Sequence, residues 1–138
     1  MHHSFDLPPQ LDEVDKAVQA LRALVEPVLE PEQASCFEVA VSEALTNIVV
    51  HGYEGIQGGK TVSVQLDTDG QVLRLTIIDH GTPGPADLFE TGPSLDEIDF
   101  MEESGRGLAL IRHHADAVAY TPSVDGNRLI LTFCFPVP

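Results

Sequence analysis

The stretch FEVAVSEALTNIVVHGY, residues 37–53, carries the apolar and polar patterns that decide the fold. At about 100° per residue, its apolar side chains gather in one stripe of a helix. The stripe consists of Phe37, Val41, Ala44, Leu45 and Ile48. Glu43 and Asn47 are four residues apart, so they stack beside that stripe and not opposite it. The pattern predicts a helix that ends near Gly52 and lines a cleft with an acid and an amide.

The spacing of Glu43 and Asn47 also has a more ordinary interpretation. Acid and amide pairs four residues apart are common on helices. Taken alone, the spacing favours a surface acid and a buried amide bonded to a neighbouring loop. The cleft interpretation therefore depends on residues elsewhere in the chain.

Composition excludes several classes of function. The 138 residues suit one domain with a sizeable core, which we take as residues 1–138. Because 7 basic and 22 acidic residues give a formal net charge of −15, nucleic acid and anionic membranes are poor partners. We see no signal peptide before the first helix and no run long enough to span a membrane. Cys36 and Cys134 then suggest buried thiols of a cytoplasmic protein. Met1-His2-His3 is given no functional role.

The rest of the pattern predicts an α+β fold around the central helix. An apolar repeat predicts a first helix that Pro27 ends or kinks. Its seam consists of Leu11, Val14, Val18, Leu21, Val25 and Val28. The seam can pack on the chain's own sheet, which is the default, or pair with a second chain. Alternating residues predict a hairpin over 61–67 and 72–78, and two final strands over 117–121 and 128–135.

Two further segments can serve a ligand. Asp79 follows the second hairpin strand, and its carboxylate can accept a hydrogen bond from an amino group while Gly81 leaves room for a flat ring. The ordinary alternative is an aspartate that starts a turn.

After an acidic stretch, Gly105-Arg106-Gly107 opens an apolar helix over 108–115 and can offer backbone N–H groups to a phosphate. Alone, such a motif is more often a tight loop.

In chain order, the sequence offers Glu-x3-Asn-x3-His-Gly-Tyr on a helix, a hairpin, Asp-x-Gly at a strand end, a lid over about residues 82–104, and Gly-x-Gly before a helix. This arrangement resembles the Bergerat-fold (GHKL) ATPases. More narrowly, SEALTNIVVHGYEG resembles the first box of the bacterial anti-sigma factor serine kinases. The resemblance covers essentially the whole chain. It implies a two-layer α/β sandwich, with helices on one face of a mixed, mostly antiparallel sheet.

The resemblance also implies residue roles in binding ATP and Mg²⁺. Glu43 would be the general base that takes a proton from an attacking hydroxyl. Asn47 would supply an oxygen to Mg²⁺. Asp79 would pair with the adenine amino group, with the base lying against Gly81. The residues that would contact the phosphates are Gly105, Arg106 and Gly107.

As a function, the resemblance implies an ATP-dependent anti-sigma factor and protein-serine kinase. It would bind a sigma factor, phosphorylate an antagonist protein of the STAS type, and form a homodimer. One alternative is a non-catalytic partner-switching module that acts through protein contacts. Another is an isolated histidine-kinase ATPase domain, which we rank lower because no dimerisation helix with a phospho-accepting histidine precedes the first box.

Three features depart from the family pattern. Pro83 stands where a second glycine is expected, and Gly84 follows it. Near the last strand, Gly126-Asn127 replaces the Gly-Thr that these ATPases often carry. The lid is also acidic, which would repel a triphosphate unless a cation or a partner intervenes. His51 matches the first box and is expected to orient or pack near the site. The histidines expected at the surface or at helix caps are His80, His113 and His114.

Overall fold

The computed structural model describes residues 1–56, 59–90 and 103–135. Residues 91–102 of the predicted lid lie outside this part of the chain. The elements are β1 (His2–Leu7), α1 (Leu11–Val25), α2 (Pro31–Asn47), a π-helix (Ile48–Gly52), β2 (Val62–Asp69), β3 (Val72–Asp79), α3 (Glu103–His114), β4 (Ala117–Thr121) and β5 (Asn127–Cys134).

The described strands form one sheet in the order β1-β2-β3-β5-β4, and all four neighbouring pairs are antiparallel. The α+β sandwich is confirmed, although this part of the sheet contains no parallel pair. The reason is the route of the chain, because α3 leads to the edge strand β4 and β5 returns from it beside β3. In the β3–β5 register, Asp79 lies opposite Asn127. The last residue of one central strand therefore meets the first residue of the other.

The helices cover one face of the sheet. Phe37 of α2 is fully buried and meets Phe133 of β5 edge-on, with ring centroids 5.2 Å apart. The sheet side of the core consists of Val62, Val64, Leu66, Leu73, Leu75, Ile77, Leu129, Leu131 and Phe133. On the opposite face, Gln65, Arg74 and Arg128 are exposed. This alternation is the one expected for a sheet with one packed face and one solvated face.

The apolar seam of α1 is used inside the chain. Leu11 is 52% exposed, whereas the next four members of the seam are at most 5% exposed. Those four are Val14, Val18, Leu21 and Val25. The helix ends at Val25, two residues before Pro27, as predicted. Because these four side chains are buried in the core of the chain itself, a homodimer would need another surface.

The sequence pattern does not predict β1. Its inward side chains are Phe5 and Leu7, and two apolar residues are too few to reveal an alternation. Pairing with β2, from His2 opposite Asp67 to Leu7 opposite Val62, makes this segment an edge of the sheet.

Within the described residues, no helix is long and apolar enough to cross a membrane.

Candidate functional site

A cleft of about 410 Å³ lies between the end of α2, the turn after β3, and α3. This volume is within the range of small-molecule binding sites. Most of its lining is apolar, with Ile48, Leu108, Ile111 and Leu129 among the contributors. The polar side chains in the lining include those of Asn47, His51, Asp79, Tyr120 and Asn127.

The helix that carries the acid and the amide changes from α to π geometry directly after Asn47. The N–H of Tyr53 donates to the carbonyl of Ile48, five residues back, at 3.1 Å. The π-turn brings Gly52 to the cleft, where its carbonyl accepts the N–H of Thr82 at 2.7 Å. Such turns are frequent at functional sites. The sequence predicts the helix as far as Gly52 but not this change of geometry.

Gly81 packs against the end of the π-helix. An ideal Cβ at Gly81 would lie 2.5 Å from the carbonyl oxygen of Gly52 and 2.6 Å from its carbonyl carbon. Both atoms belong to the backbone, so they cannot move aside as the tip of a side chain could. The absent side chain of Gly81 is therefore what allows the turn after β3 to approach the π-helix.

Asp79 lies in a buried hydrogen-bond network. It is 5% exposed, and its Oδ1 accepts the N–H of Gly81 at 2.9 Å and the Nδ2 of Asn127 at 3.0 Å. Asn127 is 1% exposed, donates also to the carbonyl of Gly81 at 3.0 Å, and accepts the N–H of Ser123 at 3.1 Å. Both bonds described for the carboxylate use Oδ1, and Asp79 also contributes to the lining of the cleft. From the sequence, Asn127 was only a departure from a motif, because its contact with Asp79 depends on strand register.

Glu43 and Asn47 converge on Gly107 of α3. An ideal Cβ at Gly107 would lie 3.0 Å from Oε2 of Glu43, 3.3 Å from Nδ2 of Asn47 and 3.4 Å from Oδ1 of Asn47. Both side chains are half-buried. Asn47 lines the cleft, whereas Glu43 lines a smaller groove of about 260 Å³ between α1 and α2. The acid and the amide therefore reach one point of α3 from two neighbouring openings.

The Gly-x-Gly segment lies inside α3, since this helix begins at Glu103. The prediction that these glycines precede the helix is therefore wrong. Packing of the apolar residues that follow outweighs the low helix propensity of glycine. Gly105 still falls in the first turn, where N–H groups have no acceptor within the helix. Gly107 falls in the second turn, and it contributes the space into which the two α2 side chains extend. Arg106 is exposed.

The first part of the predicted lid, residues 82–90, covers one side of the cleft. The N–H of Gly84 donates to the hydroxyl of Tyr120 at 2.9 Å, and the ring of Phe89 meets that of Tyr120 edge-on at 5.7 Å. Leu88 and Phe89 both line the cleft. Burial raises the pKa of Tyr120, so its hydroxyl stays neutral at physiological pH. This segment is therefore anchored to β4.

Tyr53 anchors the turn that follows β3. Its hydroxyl accepts the N–H of His80 at 2.9 Å and donates to the carbonyl of Lys60 at 2.8 Å. Burial raises the pKa of Tyr53 as well, which keeps the donated proton in place. His51 is exposed at the cleft. His113 and His114 lie in the last turn of α3.

Comparison with known proteins assigns the family. Residues 7–133 match the family model of the histidine kinase-like ATPase domain. The chain belongs to this family. It is 31% identical over 119 residues to the anti-sigma F factor of Anoxybacillus flavithermus, a match that covers 82% of this chain and 75% of that protein. It is 34% identical over 108 residues to the anti-sigma F factor of Bacillus velezensis, which covers 75% and 73% of the two chains.

Solved structures share the fold of this histidine kinase-like ATPase domain. The structure of the RsbU and RsbW domains of a Mycobacterium tuberculosis protein superposes with a TM-score of 0.70 at 18% identity, and covers 100% of this chain and 33% of that one. A histidine kinase domain from Erythrobacter litoralis gives a TM-score of 0.57 at 19% identity, with coverage of 94% and 62%. The resemblance found in the sequence, and the two-layer fold that it implies, are both confirmed.

Proposed function

We propose that this protein binds ATP with Mg²⁺ and transfers the terminal phosphate to a serine or threonine hydroxyl of a partner protein. The observation that carries the proposal is the convergence of Glu43 and Asn47 on Gly107, beside a cleft whose lining includes Asp79. Such a phosphotransfer requires a general base, a metal ligand and a carboxylate that recognises adenine. Here the first two lie on α2 and meet at Gly107 of α3, and the third lies at the end of β3.

The residues present suit an adenine nucleotide. The Oδ2 atom of Asp79 can accept a hydrogen bond from the exocyclic amino group of adenine, and the apolar lining suits a flat ring. Gly81 packs on Gly52 and donates its N–H to Oδ1 of Asp79 at 2.9 Å, so this turn holds the carboxylate in the lining of the cleft. We therefore assign Asp79 and Gly81 to the binding of adenine.

The residues present also suit Mg²⁺ and phosphate groups. Mg²⁺ commonly takes one or two protein oxygens and completes its shell with phosphate oxygens and water. Among the described residues, no three His, Cys, Asp or Glu side chains form a metal-binding group. We assign Asn47 as the protein ligand, with the triphosphate supplying most of the others. The first-turn N–H groups of α3 at Gly105, with Arg106 and Gly107 beside them, are assigned to the phosphates.

We assign Glu43 as the general base. Its carboxylate lies beside Asn47 at Gly107, yet it lines the α1–α2 groove. An acceptor hydroxyl that enters from this groove would meet the carboxylate without displacing a nucleotide from the cleft. Glu43 would then take the hydroxyl proton as the hydroxyl oxygen bonds to the terminal phosphorus of ATP, and ADP would leave with the electron pair of the broken P–O bond.

As a biological role, we propose an anti-sigma factor that binds a sigma factor and phosphorylates a STAS-type antagonist, acting as a homodimer in the cytoplasm. Support comes from the anti-sigma F factors, which are 31% and 34% identical to most of this chain. Because the α1 seam is buried in the core, surfaces for the second copy and for the partners must lie elsewhere.

Titration calorimetry with Mg-ATP tests the nucleotide assignment. We expect wild type to bind ATP, and Asp79→Asn to bind it about 10- to 100-fold more weakly, because an amide cannot replace an ionised acceptor without a penalty. Asp69→Asn, at the exposed end of β2, is the matched control and should bind like wild type. Absence of heat from wild type at millimolar nucleotide would remove the basis of the assignment.

The metal assignment makes a separate prediction. Asn47→Ala should weaken ATP binding about tenfold or more when Mg²⁺ is present, and far less in EDTA, since the lost oxygen contacts the ion and not the nucleotide. The same titrations on Thr46→Ala, also half-buried on α2, provide the control. Equal losses with and without Mg²⁺ would contradict a metal-ligand role.

A non-catalytic partner-switching module is the second candidate. It is favoured by the location of Glu43, which lines the α1–α2 groove and not the cleft. Such a module would bind nucleotide and regulate its partner without transferring phosphate. Comparing wild type with Glu43→Ala discriminates the two candidates: a kinase would lose phosphotransfer and keep ATP binding, whereas a binding module would regulate its partner unchanged.

A further inference from the structure

Asn127 makes hydrogen bonds in three directions. It lies at the start of β5, and its side-chain Nδ2 donates to Oδ1 of Asp79 and to the carbonyl of Gly81, each at 3.0 Å. Its Oδ1 accepts the N–H of Ser123 at 3.1 Å. A side-chain amide has two hydrogens to donate, so both are engaged. At 1% exposure, the residue is also almost fully removed from solvent.

The neighbours of Asn127 determine which way its amide points. If the oxygen and nitrogen exchanged places, the oxygen would face two acceptors and the NH₂ group would face the N–H of Ser123. Three favourable contacts would become repulsive. With its donors engaged in this way, Asn127 has no hydrogen left for a bound ring. Hydrogen bonding by this NH₂ group can therefore influence a ligand only through Asp79 and Gly81.

We propose that Asn127 is a positioning residue that sets the base selectivity of the cleft by holding the carboxylate of Asp79. This inference rests on the proposed binding of ATP. With Oδ1 held by two donors, Oδ2 is the oxygen that meets the ring. An ionised carboxylate oxygen accepts a hydrogen bond from the amino group of adenine and repels the carbonyl oxygen that hypoxanthine carries at the same position. A carboxylate free to rotate would discriminate less well.

The amide has a property that a hydroxyl lacks. It bonds to Asp79 and Gly81 together and so ties the carboxylate to the turn that follows it. A threonine hydroxyl has one hydrogen and can donate to only one of these two acceptors. Asn127→Thr is therefore the conservative variant, and it should retain part of the selectivity that Asn127→Ala loses.

The test compares Mg-ATP with inosine triphosphate by calorimetry. We expect wild type to prefer ATP by about 10- to 100-fold, the range of one hydrogen bond to a charged group. Asn127→Ala should reduce that preference to about threefold or less, and Asn127→Thr should lie between the two. Tyr120→Phe, which loses a contact with Gly84 in the same cleft, is the control. It should change both affinities together and leave their ratio unaltered.

A double-mutant cycle with Asp79→Asn shows whether Asn127 acts through Asp79. Once Asp79 is replaced, removing Asn127 should have no further effect on the ATP preference. Additive effects would overturn the proposal, as would an Asn127→Ala variant that folds and keeps the wild-type preference. If thermal unfolding shows that Asn127→Ala does not fold, Asn127→Thr carries the same comparison. Failure of wild type to bind any nucleotide would overturn the proposed function as well.

Discussion

Replacing Glu43 with alanine is expected to reduce phosphotransfer by about 10²- to 10⁴-fold, the usual contribution of a general base. ATP affinity should change by no more than about threefold, because the carboxylate would act on the hydroxyl of the second substrate and not on the nucleotide. Oε2 of Glu43 lies beside Gly107, while the residue lines the α1–α2 groove and not the cleft. Transfer of labelled terminal phosphate to a purified STAS-domain antagonist measures the first quantity, and calorimetry measures the second.

Glu38→Gln is the matched control for Glu43→Ala. Glu38 lies on the same helix and lines the same groove, but its carboxylate bonds to Arg22 at 2.8 Å and to Gln19 at 3.1 Å. Its loss should leave phosphotransfer close to the wild-type rate. Full transfer by Glu43→Ala would instead assign the proton to another acceptor. If wild type transfers no phosphate but binds ATP, the partner-switching module becomes the better description.

Replacing Gly81 with alanine is expected to destabilise the fold by about 2–3 kcal/mol, as overpacking of a close contact does. The added Cβ would lie 2.5 Å from the carbonyl oxygen of Gly52, so one of the two backbone segments must move. Gly81 also bonds to both Asp79 and Asn127, and its displacement should move the carboxylate. ATP affinity should fall by about 10- to 100-fold, the range expected when a hydrogen bond to a charged group is lost. Chemical denaturation and calorimetry measure the two changes.

Gly52, on the other side of the same contact, provides the control. A Cβ at Gly52 would meet nothing closer than 3.9 Å, which is ordinary van der Waals contact. Gly52→Ala should therefore keep its free energy of unfolding within about 0.5 kcal/mol of wild type. If the two alanine variants were equally stable, the close approach of these segments could not be the reason for glycine at position 81.

The central helix illustrates how far the sequence reaches. Periodicity alone predicts the helix, the buried stripe that begins at Phe37, and the shared face of Glu43 and Asn47. These features repeat within one or two helical turns and need no distant partner. The π-turn after Asn47 was not predicted, because it depends on the contact between Gly52 and the turn after β3.

The start of α3 and the role of Asn127 illustrate the opposite case. Local signals placed the glycines before the helix, whereas packing of the residues that follow extends the helix to Glu103. Asn127 carries no signal of its own beyond a departure from a motif. Its contact with Asp79 results from the register of β3 and β5, which sets the two residues opposite each other.

By itself, the sequence determined the helices, the hairpin and their order along the chain. It also determined the family resemblance and the candidate side chains Glu43, Asn47 and Asp79. Each of these follows from periodicity, turn chemistry or a motif within a short span of chain. The tertiary structure decided that the acid and the amide meet at Gly107, and that Asn127 holds Asp79. The physical reason is that these contacts join residues 48 to 64 positions apart, and only packing and strand pairing bring such residues together.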